Sequence, residues 1–229
     1  MIKGVFIAGN DSALFNAVEA EVASRVERYA FALIPNRFLK LRENPSISVS
    51  NASLEKARIP LDWNPKSAIS ARALAIAAEN RLGHIDEAIL VCSPPVISCA
   101  ITDLKPIDIE VLANDHIKSW FFLAKELITL FKARERGALF LVYPETGGSG
   151  GKDNPADILG ATALASFRAL TAKLLAAPPS EAYTIQGFTG GETGNEAAFA
   201  SFIFKQLDDT KRWANGKLHK YGKPGFFSK

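Results

Sequence analysis

Short apolar runs alternate with amphipathic stretches along most of the chain. The runs KGVFIAG, YAFALIP, EAILVCS, ALFLVY and AYTIQGF occupy residues 3–9, 29–35, 87–93, 138–143 and 182–188. A short apolar run that is bounded by glycine, proline or polar residues is typical of a strand covered on both faces. The pattern therefore predicts a series of buried strands.

The first stretch between strands has helical spacing. Leu14, Val18 and Val22 recur every four residues and define one helical face. Residues 10–12 read Asn-Asp-Ser, three residue types that cap the start of a helix. We therefore expect a helix directly after the first strand.

Further helices are expected downstream. Asn64 as cap and Pro65 as the first helical residue predict a helix that ends at Gly83. Longer helices are predicted over residues 108–134, 156–176 and about 195–207. Two weaker strand signals lie at residues 47–50 (ISVS) and in the segment WANGKLHKYGK near the C-terminus.

The alternating order predicts the fold class. Strands that alternate with helices form parallel sheets with right-handed crossovers and helices on both faces. We expect one α/β domain over residues 1–229, a Rossmann-type doubly wound parallel sheet of about seven strands. Glycine-rich loops follow two of the strands, at the sheet edge where ligands bind in such folds.

Composition and charge argue against general disorder and against nucleic-acid binding. With 48% hydrophobic and 22% charged residues, the chain has ample apolar material for a core, which excludes general disorder. The net charge is +3, but residues 211–229 carry six basic residues and no acidic one, so the first 210 residues carry 3 − 6 = −3. An acidic body argues against nucleic-acid binding, because the basic excess is confined to the C-terminal tail.

Neither a membrane span nor a metal site is expected. No stretch reaches the roughly 18 to 20 uninterrupted apolar residues of a spanning helix, and the N-terminus resembles a strand more than a signal peptide. Cys92 and Cys99 lack the spacing and partners of a zinc site. We interpret them as reduced thiols of a cytoplasmic protein.

Several strings in this order resemble the short-chain dehydrogenase/reductase family, over essentially the full length. They are GHIDEAILVCSPP at 83–95, HIKSWFFLAKEL at 116–127 and ANGKLHKYGK at 214–223, with Asp62 after the third strand. The resemblance implies an NAD(P)-dependent oxidoreductase fold. In active members a tyrosine and a lysine four residues later transfer the proton while hydride moves.

The catalytic positions of the family are all replaced here. The resemblance places Gly160 at the tyrosine and Leu164 at the lysine, and neither side chain can transfer a proton. The serine after the fifth strand falls at about Pro144, and the asparagine of the central helix falls at His116. The resemblance therefore implies a member without the catalytic tetrad.

The nucleotide-binding turn is altered too. The family's glycine-rich turn reads AGNDSALF here, with only Gly9, and Asp11 would repel a pyrophosphate at the helix N-terminus. No cofactor is assigned; NAD or NADP is expected only if the cleft is retained. In that case the resemblance gives cofactor contacts at Gly9, Asn10, Arg37, Asp62 and Ser93.

Two side chains offer alternative chemistry. His116 could act as an acid or base, although the adjacent Asp115 points elsewhere on a helix, and a packed helical residue is the competing interpretation. Tyr143 could replace the lost tyrosine, but no lysine lies at a fixed spacing from it. The loop at 146–152 fails the P-loop pattern at Thr146 and Asp153 and is interpreted as a mobile loop. The loop at 189–195 could bind an anion through backbone amides, and a flexible strand-to-helix connection is the competing interpretation.

Three functions stay open at this point. The helices at 108–134 and 156–176 keep more apolar surface than one sheet face needs, and in the family they form the main dimer interface. The first hypothesis is therefore a non-catalytic subunit, in a homo-oligomer or paired with an active family member. The others are an active oxidoreductase that uses atypical residues, and a small-molecule sensor.

Overall fold

A seven-stranded parallel sheet forms the centre of the molecule in the computed structural model. The structure describes residues 3–35, 58–145, 157–178, 180–190, 195–209 and 216–222. The strands are β1 (Val5–Asn10), β2 (Tyr29–Ile34), β3 (Arg58–Pro60), β4 (Glu87–Val91), β5 (Ala138–Pro144), β6 (Thr184–Gly190) and β7 (Lys217–Tyr221). Their spatial order is β3-β2-β1-β4-β5-β6-β7, which confirms the predicted doubly wound architecture.

Helices connect the strands and cover the sheet. They are α1 (Ala13–Arg25), α2 (Ala68–Leu82), α3 (Pro106–Leu112), α4 (Ser119–Arg134), α5 (Ile158–Leu175) and α6 (Glu196–Asp208). A π-helical segment, Ala113–Lys118, joins α3 to α4 without leaving helical geometry. The predicted helices at 108–134 and 156–176 are therefore present, the first with this π segment inside it.

The sheet separates two hydrophobic clusters because alternate strand residues point to opposite faces. In β1, Phe6 and Ala8 face the layer of α2, α4 and α5, whereas Val5 and Ile7 face α1 and α6. The same alternation holds along β4 and β5, so every central strand is covered on both sides. This explains why these strands are nearly continuous apolar runs in the sequence.

The strand order reverses at β1, and this defines the candidate crevice. β1 pairs with β2 on one side and with β4 on the other, both in parallel register. Successive connections leave in opposite directions from this point, so the carboxyl ends of β1 and β4 open a crevice between them. Ligands of doubly wound sheets bind in that crevice.

One predicted helix start was wrong. α2 begins at Ala68, not at Pro65, and the Ser67 hydroxyl caps it by accepting a hydrogen bond from the amide of Ser70 at 3.2 Å. The Asn64 side chain instead accepts from the amide of Lys66 at 3.2 Å. This local turn uses the asparagine before a helix can begin, which is a common competition for such residues.

Some sequence expectations fall outside the described residues. The possible strand at 47–50 and Arg37 lie there, and so does most of the basic tail at 211–229, of which 216–222 are described. Among described helices, α5 alone has the length and apolar composition of a membrane span, and 33% of that window is buried. One such helix is weak support for a membrane span.

Candidate functional site

The turn after β1 is packed closely against α1. Phe15 is fully buried, and its ring lies so near Gly9 that a Cβ at that position would collide with it. The hydroxyl of Ser12 caps α1 by accepting from the amide of Phe15 at 3.1 Å. The neighbouring Asp11 is exposed. This turn therefore presents one glycine, a bulky ring and a carboxylate where the family has a glycine-rich cradle.

Asn10 spans the crevice at the switch point. Its amide nitrogen lies 2.9 Å from Nδ1 of His116, and its amide oxygen accepts from the backbone amide of Ser93 at 3.4 Å. Because a carboxamide nitrogen can only donate, Nδ1 of His116 must accept. One side chain thus ties the end of β1 to the exit of β4 and to the π-helical segment.

His116 is held neutral in this arrangement. It is 1% exposed, and burial lowers the pKa of its imidazole to about 4. The adjacent Asp115 is completely buried. A π-helical segment often marks a functional site, and here it turns His116 inward towards Asn10. The imidazole is accordingly a packed hydrogen-bond acceptor near neutral pH.

The remaining predicted cofactor positions lie along the same sheet edge without converging. Asp62 follows β3 and is exposed, while Ser93 follows β4 and is partly buried. Arg37 lies outside the described residues. The structure therefore brings Asn10, Ser93 and His116 together and leaves Asp62 at a distance along the edge, two strands from β1.

Gly160 sits at a crowded point on the first turn of α5. A Cβ there would come within 2.5 Å and 2.7 Å of the two carboxylate oxygens of Asp157, and within 2.7 Å of the carbonyl oxygen of Pro95. A tyrosine cannot be accommodated at this position with the chain in this conformation. The space beside Gly160 is filled by the Asp157 side chain and the Pro95 backbone.

Two other residues that the resemblance places at catalytic positions, Leu164 and Pro144, belong to the core or to its edge. Leu164 is 2% exposed and packs in the cluster under α5. Pro144 ends β5, and its carbonyl oxygen accepts from the guanidinium of Arg168 at 3.1 Å. Neither position offers a titratable side chain.

Tyr143 is buried between the sheet and α5. It is 6% exposed, stacks edge-on against Phe167, and has Arg168 over its ring at 5.8 Å. Burial raises the pKa of its phenol, and the charge of Arg168 offsets only part of this rise. Tyr143 is therefore placed as a core residue whose proton is hard to remove.

Sequence reasoning missed Asp157 and Ile97. Asp157 is 4% exposed and caps α5, where one carboxylate oxygen accepts from the amides of Gly160 and Ile97, both at 3.0 Å. An Asp before an apolar helical pattern is a recognisable cap signal. No sequence signal marked Ile97, because its role depends on a contact sixty residues away.

A dinucleotide does not fit this edge as it stands. Pyrophosphate binding needs free amides and close backbone approach at the helix start. Here the amide of Phe15 is used by Ser12, and the Asn10 side chain crosses the crevice. Among the described residues no group of three or more His, Cys, Asp or Glu side chains could hold a metal ion.

Comparison with known proteins extends the description of the fold. No protein-family model and no curated protein matches this sequence. Solved structures do. A short-chain dehydrogenase from Mycobacterium smegmatis superposes with a TM-score of 0.71 at 12% identity, covering 97% of this chain and 93% of the other.

Two further structures agree. ElxO with NADP bound gives a TM-score of 0.72 at 14% identity, with 96% of this chain and 97% of that chain covered. A short-chain dehydrogenase/reductase from Serratia marcescens gives 0.68 at 14% identity, with 95% of each chain covered. At these identities the likeness concerns the fold, and this chain therefore has the fold of the short-chain dehydrogenases/reductases.

Proposed function

We propose that this chain is a non-catalytic subunit with a dehydrogenase fold, in an oligomer that is either built from copies of itself or shared with an active short-chain dehydrogenase/reductase. The observation that carries the proposal is the environment of Gly160. The Asp157 carboxylate and the Pro95 carbonyl stand where a catalytic tyrosine would project. Leu164, four residues later, is buried in the core.

The crevice at the switch point supports the same conclusion. The Asn10 side chain makes hydrogen bonds within the chain, to His116 and to Ser93. A bound pyrophosphate would have to displace this bridge and approach Asp11 as well. Although ElxO has been solved with NADP bound, the residues at this edge favour a chain that binds neither NAD nor NADP.

An active enzyme with atypical residues is less well supported. A general acid or base needs a pKa near the working pH and access to substrate. Burial gives His116 a pKa of about 4, and its Nδ1 is engaged by Asn10. Tyr143 has a raised pKa and is 6% exposed.

The outer face of α5 supports the oligomer. Its exposed residues are small or apolar and uncharged over more than three turns: Ile158, Ala161, Thr162, Ala165, Ala169 and Ala172. On α4, Phe121 is 47% exposed. Small residues permit close approach of another helix, and surfaces of this kind are typical of protein contacts. The first exposed charged residue of α5 is Lys173, near its C-terminal end.

Nucleotide binding is the first experiment. Isothermal calorimetry with NADH and NADPH should give no binding heat up to millimolar nucleotide, and the purified chain should show no turnover. A family member that keeps the Tyr-x-x-x-Lys motif serves as the positive control. Tight binding together with turnover by the isolated chain would overturn the proposal.

Association is the second experiment. Sedimentation should show an oligomer that Ala165→Glu dissociates, because a charge in the middle of the α5 face would have to be buried unpaired. Ala73→Glu, the same change at an exposed position on α2, is the matched control and should leave the oligomer intact. A monomeric wild-type chain would contradict self-association and leave the mixed assembly with an active chain.

A further inference from the structure

A cavity opens at the amino edge of the sheet, which is the edge opposite to the switch-point crevice. It has a volume of about 230 Å³ and is lined by His84, Ile85, Asp86, Arg134 and Arg136. The first three residues lie between α2 and β4, and the two arginines lie at the end of α4, before β5. The cavity therefore belongs to the two turns that lead into neighbouring strands.

The backbone of these two turns brings the lining residues together. Gly83 ends α2 with a φ of +83°, a conformation that favours glycine. Glu135 ends α4 with a φ of 52°, which is also in the left-handed region. The chain reverses sharply at each point. Arg134 and Arg136, on either side of Glu135, consequently line the same cavity.

The two guanidinium groups keep donors for a further acceptor. Arg136 pairs with Asp86 at 2.6 Å, and Arg134 pairs with Glu79 on α2, in each case through Nη2. A guanidinium has five N–H donors in a planar fork, of which a bidentate carboxylate takes two. The side chains of Arg134 and Arg136 are 33% and 62% exposed, so a molecule that enters the cavity can reach them.

The charge of the lining favours an anion. Two guanidinium groups face one carboxylate, that of Asp86, which is already compensated by Arg136 and by the amide of Gly4 at 2.9 Å. The imidazole of His84 also lies against this carboxylate, at 2.9 Å. The C-terminal ends of α2 and α4 bring partial negative charge to the same edge. A ligand with two negative charges is therefore favoured over one with a single charge, because it can engage both guanidinium groups.

We propose that this cavity binds a small organic dianion whose carboxylate or phosphate oxygens are held by Arg134 and Arg136. Ile85 supplies an apolar wall for the carbon skeleton of the ligand. The volume lies below the roughly 300–1,000 Å³ of pockets that take drug-sized molecules, which limits the ligand to a short skeleton. The guanidinium fork recognises carboxylate and phosphate alike, and the probes below distinguish the two.

This site goes beyond the proposed function and does not depend on it. Asn10 and Gly160, on which the non-catalytic assignment rests, lie at the other edge of the sheet. Turnover of a nucleotide by the isolated chain would remove that assignment and leave the amino-edge cavity untouched. Failure of the cavity to bind an anion would leave the non-catalytic assignment intact.

Isothermal calorimetry at constant ionic strength tests the site, with succinate and with inorganic phosphate as probes. At least one of them should bind wild type saturably, and the tighter one identifies the anionic group. Arg134→Gln and Arg136→Gln should each weaken binding at least fivefold. Arg72→Gln, which removes the same charge from an exposed position of α2, is the matched control and should leave the affinity unchanged. Binding of neither probe, or an equal loss in the control, would overturn the proposal.

Lysine variants separate the guanidinium fork from its charge. Arg134→Lys and Arg136→Lys keep the positive charge and lose the bidentate geometry, so each should bind the tighter probe at least threefold more weakly than wild type. Undiminished affinity in both lysine variants would show that a general positive charge suffices, and would contradict recognition by the two guanidinium groups.

Amide chemical shifts locate the bound probe in wild type without any variant. Titration should shift the amides of residues 84–86 and 134–137 in a saturable way. The amides of Asn10 and Ser93, at the carboxyl edge, should keep their shifts over the same titration. Shifts confined to the carboxyl edge would place the anion elsewhere and would overturn the proposal.

Discussion

Different kinds of interaction connect the elements at the two edges of the sheet. At the amino edge, charged pairs with solvent access join the elements. Lys3 pairs with Glu87 at 2.5 Å, and Asp86 receives Arg136 at 2.6 Å and His84 at 2.9 Å. At the carboxyl edge the contacts are buried hydrogen bonds, in which Asn10 and His116 take part.

The difference concerns the edge of the sheet at which ligands bind in folds of this class. In doubly wound sheets the carboxyl edge is the one that receives ligands. Here Asn10 bonds across the switch point and Asp157 bonds beside Gly160, both within the chain. At these positions the carboxyl edge is part of the packed structure. It should therefore respond to substitution and pH as a core does.

Lowering the pH should separate the two edges most strongly, because the carboxyl edge contains the buried imidazole of His116. The pKa of His116 is about 4 in the folded chain, against about 6.5 when unfolded. A lowered pKa means that the stabilisation is complete above pH ~6.5 and is lost as the pH falls towards ~4. We expect wild type to lose about 2 kcal/mol from this group between pH 7 and pH 5. Urea unfolding at the two pH values measures it.

His116→Asn supplies the comparison, because it removes the titrating group and keeps a polar side chain. Its unfolding free energy should fall by about 2 kcal/mol less than that of wild type over the same interval. Equal acid sensitivity in wild type and His116→Asn would show that His116 is not held neutral by burial.

The fold was predictable because it depends on local patterns. Buried strands appear as apolar runs, and α1 appears as helical spacing after good cap residues. The β1–β4 switch follows from the order of these elements and the rules for parallel sheets. The start of α2 was misplaced because two cap candidates, Asn64 and Ser67, stand three residues apart, and the choice depends on a local turn.

The amino edge also contains a buried carboxylate, that of Glu87, so not all of its charged groups are exposed to solvent. Glu87 is 3% exposed, and burial raises its pKa even though Lys3 opposes this effect. A raised carboxyl pKa means that folding is most favoured below the unfolded value of ~4.3, and that stability is lost as the pH rises through the folded value. Glu87→Gln should therefore gain stability relative to wild type as the pH rises from 4 to 7.

The size of that gain is limited because Lys3 already offsets part of the burial cost. Lys3→Gln is the informative partner, since it removes the compensating charge and should lower stability at pH 7. Urea unfolding midpoints of wild type, Glu87→Gln and Lys3→Gln over this pH range measure both effects. A Glu87→Gln chain that loses stability at neutral pH would mean that the ion pair outweighs burial.

The candidate site was predictable only in part. The resemblance places two catalytic positions of the family at Gly160 and Leu164, and that placement stays a prediction. The contact between Ile97 and Asp157 joins residues sixty positions apart. No local pattern encodes such a contact, because Ile97 looks like any apolar loop residue until the backbone brings it to α5.

The smallest effect should come from the solvent-exposed ion pair between Arg136 and Asp86 at the amino edge. Arg136 is 62% exposed, and Asp86 keeps Gly4 and His84 as partners without it. Exposed pairs contribute about 0 to 1 kcal/mol and are screened by salt, so Arg136→Gln should cost less than ~1 kcal/mol and lose its effect in 1 M NaCl. Asn10→Ala leaves two buried groups without this partner and should cost about 1–3 kcal/mol at either ionic strength. Denaturation at low and high salt separates the two edges, and a salt-dependent cost at Asn10 would mean that the carboxyl edge is also electrostatic.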